Sequence, residues 1–120
     1  MAGQIKVLIV DDQEAFRSAA RLVVELTDGF LVAGEAETGE EGIRLANELR
    51  PDLVLMDMNL PGIDGIEATR RIMATLPDTR VIALSTYDEF RDRALAAGAM
   101  AFIPKSDFDP EVLASIWEAN

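Results

Sequence analysis

Residues 53–62 read Leu53-Val54-Leu55-Met56-Asp57-Met58-Asn59-Leu60-Pro61-Gly62, and this stretch decides the fold. An apolar run without polar alternation is typical of a strand buried on both faces of a parallel sheet. The run ends on the carboxylate of Asp57, and turn-forming residues follow it. Asp57 is therefore expected at the carboxyl end of a central strand, where open α/β sheets bind ligands. A lone Asp there is more often a turn or helix cap than a reactive group, so the rest of the chain must decide its role.

Strand-like and helix-like segments alternate along the chain. Strands are predicted at 5–10, 31–36, 53–57, 81–84 and 100–103. Helices are predicted from Phe16 to Leu26 with Gly29 as the cap, from a capping box at 38–41 to Leu49, from Asp64 to Leu76, from Asp88 to Ala97 and from Asp109 to Trp117. The first helix is expected to bury the apolar residues Phe16, Ala19, Ala20, Val23 and Leu26. The alternation predicts an α/β fold, a (βα)5 doubly wound parallel sheet with right-handed crossovers.

Composition excludes several classes of function. The 120 residues include no Cys and no His, which rules out thiolate or imidazole metal sites, Ser-His-Asp triads and disulfides. The formal net charge of −11 disfavours direct binding to nucleic acid and to anionic membranes. The chain has neither an apolar run long enough for a membrane span nor the pattern of a signal peptide, so we expect a cytoplasmic protein. We expect residues 1–120 to form a single domain.

Polar residues stand at the carboxyl ends of four predicted strands: Asp11 and Asp12, Asp57, Ser85, and Lys105. Parallel strands bring these ends to one edge of the sheet. Carboxylates gathered there repel one another unless a cation lies among them, and hard oxygen ligands favour Mg²⁺. A hydroxyl and an ammonium group can hold an anion beside them. The layout suits phosphoryl transfer to a carboxylate, although each residue taken singly is more often a cap, a strand-end hydroxyl or a solvated charge.

The chain resembles the receiver domain of bacterial two-component response regulators. The resemblance rests on Val7-Leu8-Ile9-Val10-Asp11-Asp12, on residues 55–65, on Leu84-Ser85 and on Gly98-Ala99-Met100-Ala101-Phe102-Ile103-Pro104-Lys105. The sequence of these motifs is most similar to that of regulators whose receiver domain precedes a LuxR-type helix-turn-helix output domain. The resemblance implies a flavodoxin-like or CheY-like sheet with strand order 2-1-3-4-5.

The resemblance also implies a role for each matching residue. Asp57 would accept the phosphoryl group. Asp12, Asp57 and the carbonyl of Asn59 would bind Mg²⁺ directly, and Asp11 would act on the ion mainly through water. Ser85 and Lys105 would contact the phosphoryl oxygens. Ser85 and Phe102 would pass the signal to the face formed by the fourth helix, the fifth strand and the fifth helix. Many receivers have a cis bond after this Lys; Ser106 follows here, and the sequence leaves open whether the bond is cis.

The implied partners are a sensor histidine kinase and an output domain or protein. The resemblance also allows a homodimer that depends on phosphorylation. The implied protein is a switch rather than an enzyme with a separate substrate. Other classes are less well matched. A dehalogenase-type hydrolase also uses a strand-end Asp with Mg²⁺ but needs Asp-x-Asp, whereas Asn59 stands in the second place. A phosphorylation-independent interaction module would not need the complete acidic pocket, and a nucleotide-binding fold would need a Gly-rich loop after the first strand.

Overall fold

The computed structural model describes residues 3–119; Met1, Ala2 and Asn120 lie outside the described residues. Strands and helices alternate along this range, as the sequence predicted. The strands are β1 (Ile5–Val10), β2 (Phe30–Ala36), β3 (Leu53–Asp57), β4 (Arg80–Ser85) and β5 (Ala101–Pro104). The helices are α1 (Glu14–Glu25), α2 (Gly39–Leu49), α3 (Gly65–Thr75), α4 (Arg91–Ala96) and α5 (Pro110–Glu118).

The five strands form one sheet in the order β2-β1-β3-β4-β5, and every neighbouring pair is parallel. The predicted fold class and strand order are confirmed. β3 lies at the centre, and all five of its residues are buried, as its apolar run requires. At one edge, β2 carries an extra residue opposite β1, where the register shifts between Val7 and Leu8.

Helices cover both faces of the sheet and enclose two separate cores. On one face, α2, α3 and α4 pack against residues such as Val54, Met56 and Ala83. On the other face, α1 and α5 pack against residues such as Leu55 and Leu84. Successive side chains of a strand point to opposite faces of the sheet, so each central strand contributes alternate residues to the two cores. Among residues 3–119, no helix is long and apolar enough to cross a membrane.

Most helix starts follow the predicted capping chemistry. The side chains of Thr38, Asp64 and Asp109 accept hydrogen bonds from the backbone N–H groups of Glu41, Glu67 and Val112, at 2.8–3.0 Å. Each of these bonds satisfies a donor that the first helical turn leaves unpaired. The sequence therefore located the starts of α2, α3 and α5 correctly.

Two helices differ from the prediction. In α1 the buried residues are Arg17, Ala20 and Val24, whereas Leu26 is 65% exposed and Ala19 is also exposed. The helix ends at Glu25, so Gly29, with φ 88°, belongs to the turn before β2 rather than to a helix cap. The segment expected as one helix over 88–97 divides into a 3-10 turn, Asp88–Phe90, and the shorter α4.

Candidate functional site

Three carboxylates meet at the carboxyl edge of the sheet. One carboxylate oxygen from each of Asp11, Asp12 and Asp57 lies within 4.8 Å of the others. Asp57 ends β3, and Asp11 and Asp12 follow β1, which pairs with β3 through residues such as Val10 and Met56. Adjacent parallel strands therefore bring together residues that are far apart in sequence. Asp11 and Asp57 are buried, and Asp12 is exposed at the mouth of the cluster.

The loop after β1 holds Asp11 in a fixed position. Its Oδ1 accepts a hydrogen bond of 2.8 Å from the backbone N–H of Gln13, and its N–H donates to Ala36 O at 3.0 Å. Gln13, rather than either Asp, is the residue that precedes the first turn of α1. The alternative interpretation of Asp11 or Asp12 as a cap of this helix is therefore wrong. Both side chains face the cluster instead.

Lys105 supplies a positive charge to the cluster. Its Nζ lies 2.7 Å from Asp11 Oδ2 and 3.4 Å from Asp57 Oδ1. The ammonium also lies 4.5 Å from the centre of the Phe16 ring, a distance suited to a cation–π contact. The Lys105 side chain is only 13% exposed, so these contacts are poorly screened by water. Among residues 3–119 no peptide bond is cis, so the Lys105–Ser106 bond is trans.

The environment raises the pKa of Asp57 above its ordinary value. Burial is the main cause, because it penalises the ionised form, and the nearby charge of Asp11 acts in the same direction. Lys105 and the backbone N–H of Asn59, which donates to Asp57 Oδ1 at 3.3 Å, act in the opposite direction. The carboxylates are thus only partly compensated by the protein's own positive charge. A divalent cation would relieve the remaining repulsion.

Ser85 and Phe102 lie on the neighbouring strands β4 and β5, on the side of β3 away from β1. Ser85 ends β4 and is buried, and its Oγ accepts a hydrogen bond of 3.0 Å from the backbone N–H of Tyr87. Phe102 pairs with Ala83, two residues before Ser85, so both side chains project from the same face of the sheet. Phe102 is only 7% exposed, and the guanidinium carbon of Arg91 lies 4.7 Å from its ring centre.

Sequence reasoning missed three residues next to the cluster. Phe16 contacts Lys105, and the Arg17 guanidinium donates to the carbonyl of Asp11 at 2.7 Å. Gly65 begins α3 so close to β3 that a Cβ atom there would lie 2.1 Å from the Asp57 carbonyl oxygen. Arg17 shares one buried face of α1 with Ala20 and Val24, but hydrophobic periodicity counts a charged residue as exposed, so the sequence contained no clear signal for it.

The strand order and the acidic cluster define a class, the CheY-like α/β signalling domains. The sequence profile of the response regulator receiver domain matches residues 7–118, and the chain belongs to this family. The predicted resemblance is confirmed.

Known relatives and structures agree with this assignment. The chain is 44% identical over 103 residues to the response regulator GacA of Pseudomonas syringae pv. syringae. The aligned region covers 84% of this chain and 48% of GacA. It is 38% identical over 118 residues to the transcriptional regulatory protein LiaR of Bacillus subtilis, covering 97% of this chain and 56% of LiaR. The chain thus spans about half the length of these curated relatives. The receiver domain of the putative response regulator NarL from Mycobacterium tuberculosis superimposes with a TM-score of 0.90 at 27% identity, covering 98% of this chain and 97% of that one.

Proposed function

We propose that this receiver domain is a phosphorylation switch in which Asp57 accepts a phosphoryl group in a reaction that depends on Mg²⁺. The observation that carries the proposal is the cluster of Asp11, Asp12 and Asp57 within 4.8 Å, with Lys105 beside it. A phosphoryl donor is an anion, and it cannot approach three carboxylates closely unless positive charge lies between them. The catalysis is limited to the domain's own phosphorylation and dephosphorylation.

The residues of the cluster fit Mg²⁺. All three side chains offer hard carboxylate oxygens, and the chain contains no His or Cys that would favour a softer metal. The three oxygens lie within 4.8 Å of one another, so one ion between them would be within reach of all three. Asp11, Asp12, Asp57 and the carbonyl of Asn59 would hold the ion. When bound, Mg²⁺ would neutralise the carboxylates and the phosphoryl oxygens.

In the proposed reaction, a carboxylate oxygen of Asp57 forms a bond to phosphorus. At the same time the bond from phosphorus to the donor breaks, and the donor leaves with the electron pair. Lys105 would turn its ammonium group towards the phosphoryl oxygens. Ser85 already accepts a hydrogen bond from Tyr87, so its hydroxyl hydrogen can be donated to a phosphoryl oxygen. The donor in the cell would be the phosphohistidine of a sensor histidine kinase, because this chain has no His.

Intact-mass analysis tests the phosphoacceptor. We expect acetyl phosphate to add one phosphoryl group to the wild-type chain with Mg²⁺ present and none after chelation. Asp57→Ala should remove the addition, and Asp52→Ala, at the other end of β3, should not. Phosphorylation of Asp57→Ala at the wild-type rate would exclude Asp57 as the acceptor.

We further propose that the signal passes through Ser85 and Phe102 to the face formed by α4, β5 and α5. Ser85 would shift towards the phosphoryl group, and this would alter the packing of β4 against β5, where Phe102 is located. Because Phe102 is already buried under Arg91, the change would be a repacking of this pair rather than an entry from solvent. Amide NMR spectra with and without beryllofluoride test the route. Shifts confined to the loops at Asp57, with residues 88–105 unmoved, would exclude it.

The output of the whole protein would lie in another domain or protein. GacA and LiaR are regulators about twice the length of this chain, and a solved LuxR-family regulator from Aurantimonas has a TM-score of 0.88 with it at 34% identity. A LuxR-type DNA-binding domain is therefore the proposed output, and phosphorylation would control either it or a homodimer. With a net charge of −11, the 120 residues alone should not shift DNA in an electrophoretic assay at physiological salt.

A further inference from the structure

Arg17 is a buried arginine in the first half of α1. Only 9% of the residue is exposed, although charged side chains are seldom buried unless their charge is paired. Its Nη1 donates a hydrogen bond of 2.7 Å to the main-chain carbonyl of Asp11. Its Nε lies 3.6 Å from Oε1 of Glu35 on the edge strand β2. The guanidinium group therefore joins the helix, the edge strand and the loop that carries Asp11.

Glu35 is itself held from the other side. Arg21, one helical turn after Arg17, donates to Glu35 Oε2 at 2.7 Å and to Oε1 at 3.2 Å. This hydrogen bonding, with the positive charge of Arg21, lowers the pKa of Glu35, so the glutamate is ionised at neutral pH. An ionised Glu35 keeps Arg17 in place and compensates its buried charge. Arg17 thus has a second partner that lies outside the acidic cluster.

The hydrogen bond from Arg17 fixes the main-chain carbonyl of Asp11, to which no other described side chain donates a hydrogen bond. The two carboxylate oxygens of Asp11 face Gln13 and Lys105, whereas Arg17 binds the carbonyl oxygen. That carbonyl belongs to the peptide plane between Asp11 and Asp12. Its orientation therefore sets the directions in which both carboxylates leave the backbone.

We propose that Arg17 is a positioning residue for the divalent cation site, acting through the carbonyl of Asp11 and not through its charge. The inference rests on the proposed function, because it takes the cluster to be the Mg²⁺ site. Groups that orient metal ligands from outside commonly change metal affinity by about 10–100-fold when they are removed. A purely structural ion pair would behave differently, because its loss would change the stability of the fold without changing the affinity of the folded domain for the metal.

The charge of Arg17 and its positioning role predict opposite results for Arg17→Met. Removal of a positive charge near three carboxylates should, by Coulomb's law alone, tighten the binding of Mg²⁺. Loss of the bond to Asp11 should weaken it. We expect the dissociation constant for Mg²⁺, measured by calorimetric titration of the 120-residue chain, to rise about tenfold in Arg17→Met. Arg17→Lys, which keeps the charge but not the planar fork of donors, should give an intermediate value.

Arg44→Met is the matched control, because it removes the same charge from an exposed position on α2, where Arg44 pairs with Glu48. Its dissociation constant should equal that of the wild type. Thermal melts without metal report whether each variant is folded, and if Arg17→Met does not fold, Arg17→Lys decides the question. Unchanged or tighter binding of Mg²⁺ by the folded variant overturns the role of Arg17. Absence of Mg²⁺ binding by the wild type would instead overturn the proposed function.

Discussion

Two aspartates at opposite ends of β3 have very different surroundings. Asp52 precedes the strand and is exposed, and its Oδ2 accepts a hydrogen bond of 2.8 Å from the backbone N–H of Lys6. Its own N–H donates to Lys6 O at 2.9 Å, and its carbonyl accepts from the N–H of Arg80 at 3.0 Å. Asp57, at the other end, is 3% exposed and shares its surroundings with two further carboxylates.

The difference between Asp52 and Asp57 shows that the amino edge of the sheet stabilises the fold, whereas the carboxyl edge carries the candidate functional site. At the amino edge, Asp52 links three neighbouring strands, and Trp117 packs edge-on against Phe30, with ring centres 5.9 Å apart, and under the guanidinium of Arg80. Polar groups there have partners within the protein. At the carboxyl edge, burial and the charge of Asp11 raise the pKa of Asp57, so this end gains from a ligand that brings positive charge. The following variants test this division of the sheet, in order of decreasing effect.

Gly65→Ala should damage the carboxyl edge most. A Cβ at residue 65 would lie 2.1 Å from the carbonyl oxygen of Asp57 and 2.7 Å from Cα of Met58, and backbone atoms of a central strand cannot move aside easily. We expect the free energy of unfolding to fall by about 3 kcal/mol in urea titrations followed by circular dichroism. Gly3→Ala, where a Cβ meets nothing within 4 Å, is the control. Equal stability of the two variants would contradict the close approach.

Mg²⁺ should stabilise the wild-type fold, because the ion binds the folded state and relieves the repulsion at Asp57. At a concentration one hundred times the dissociation constant, the gain should be about 2.7 kcal/mol. Asp12→Ala should lose most of this gain, and Asp52→Ala should keep it. Thermal melts with and without Mg²⁺ measure both increments. A full gain in Asp12→Ala would show that the ion stabilises the protein elsewhere.

Trp117→Ala should weaken the amino edge without affecting the other end. The side chain is half-buried, so its loss should cost about 2 kcal/mol, less than for a fully buried tryptophan. The stabilisation gained from Mg²⁺ should nevertheless match that of the wild type. Urea unfolding by circular dichroism, repeated with the ion, gives both values. A reduced Mg²⁺ increment would mean that the two edges are coupled.

Asp57→Asn should have the smallest effect, and its sign should depend on pH. The raised pKa of Asp57 means that the folded state binds the proton of this group more tightly than the unfolded state does. The resulting stabilisation is fully present below the ordinary carboxyl pKa of about 4, and it is lost as pH rises through the raised pKa. In metal-free buffer the variant should therefore gain stability relative to the wild type between pH 4 and pH 7. Paired urea titrations at the two values measure the change. A constant difference would show that Asp57 ionises normally.

The sequence predicted the sheet because its signals are local. The apolar run at 53–56 is compatible with a doubly covered strand, and the caps at Thr38, Asp64 and Asp109 are short-range hydrogen bonds that a few residues determine. The grouping of Asp11, Asp12 and Asp57 followed from the same logic, since parallel strands share their carboxyl edge. Their catalytic and metal-binding roles stay predictions that the experiments above address.

Phe16, Ala20 and Val23 of the predicted face of α1 do pack in the core. The face was wrong at Ala19 and Leu26, because the orientation of the helix depends on contacts distant in sequence. Apolarity alone favoured burial of Ala19 and Leu26, but α1 turns so that Arg17 reaches the carbonyl of Asp11 and Glu35 on β2. Such a polar contact is invisible to hydrophobic periodicity, which counts a charged residue as exposed. The sequence also did not predict that the turn at Asp88–Phe90 is separate from α4, because one helical pattern of apolar residues runs through both segments.

The placement of Trp117 has a spectroscopic consequence. It is the only tryptophan in the chain, and its ring is packed between Phe30 and Arg80, at the end of the sheet opposite the acidic cluster. Its emission should therefore follow the unfolding of the domain and remain nearly constant when the cluster binds an ion. An extrinsic fluorophore near Asp12 would provide a second, independent signal. The two emissions, recorded on one sample, would then distinguish ion binding from unfolding.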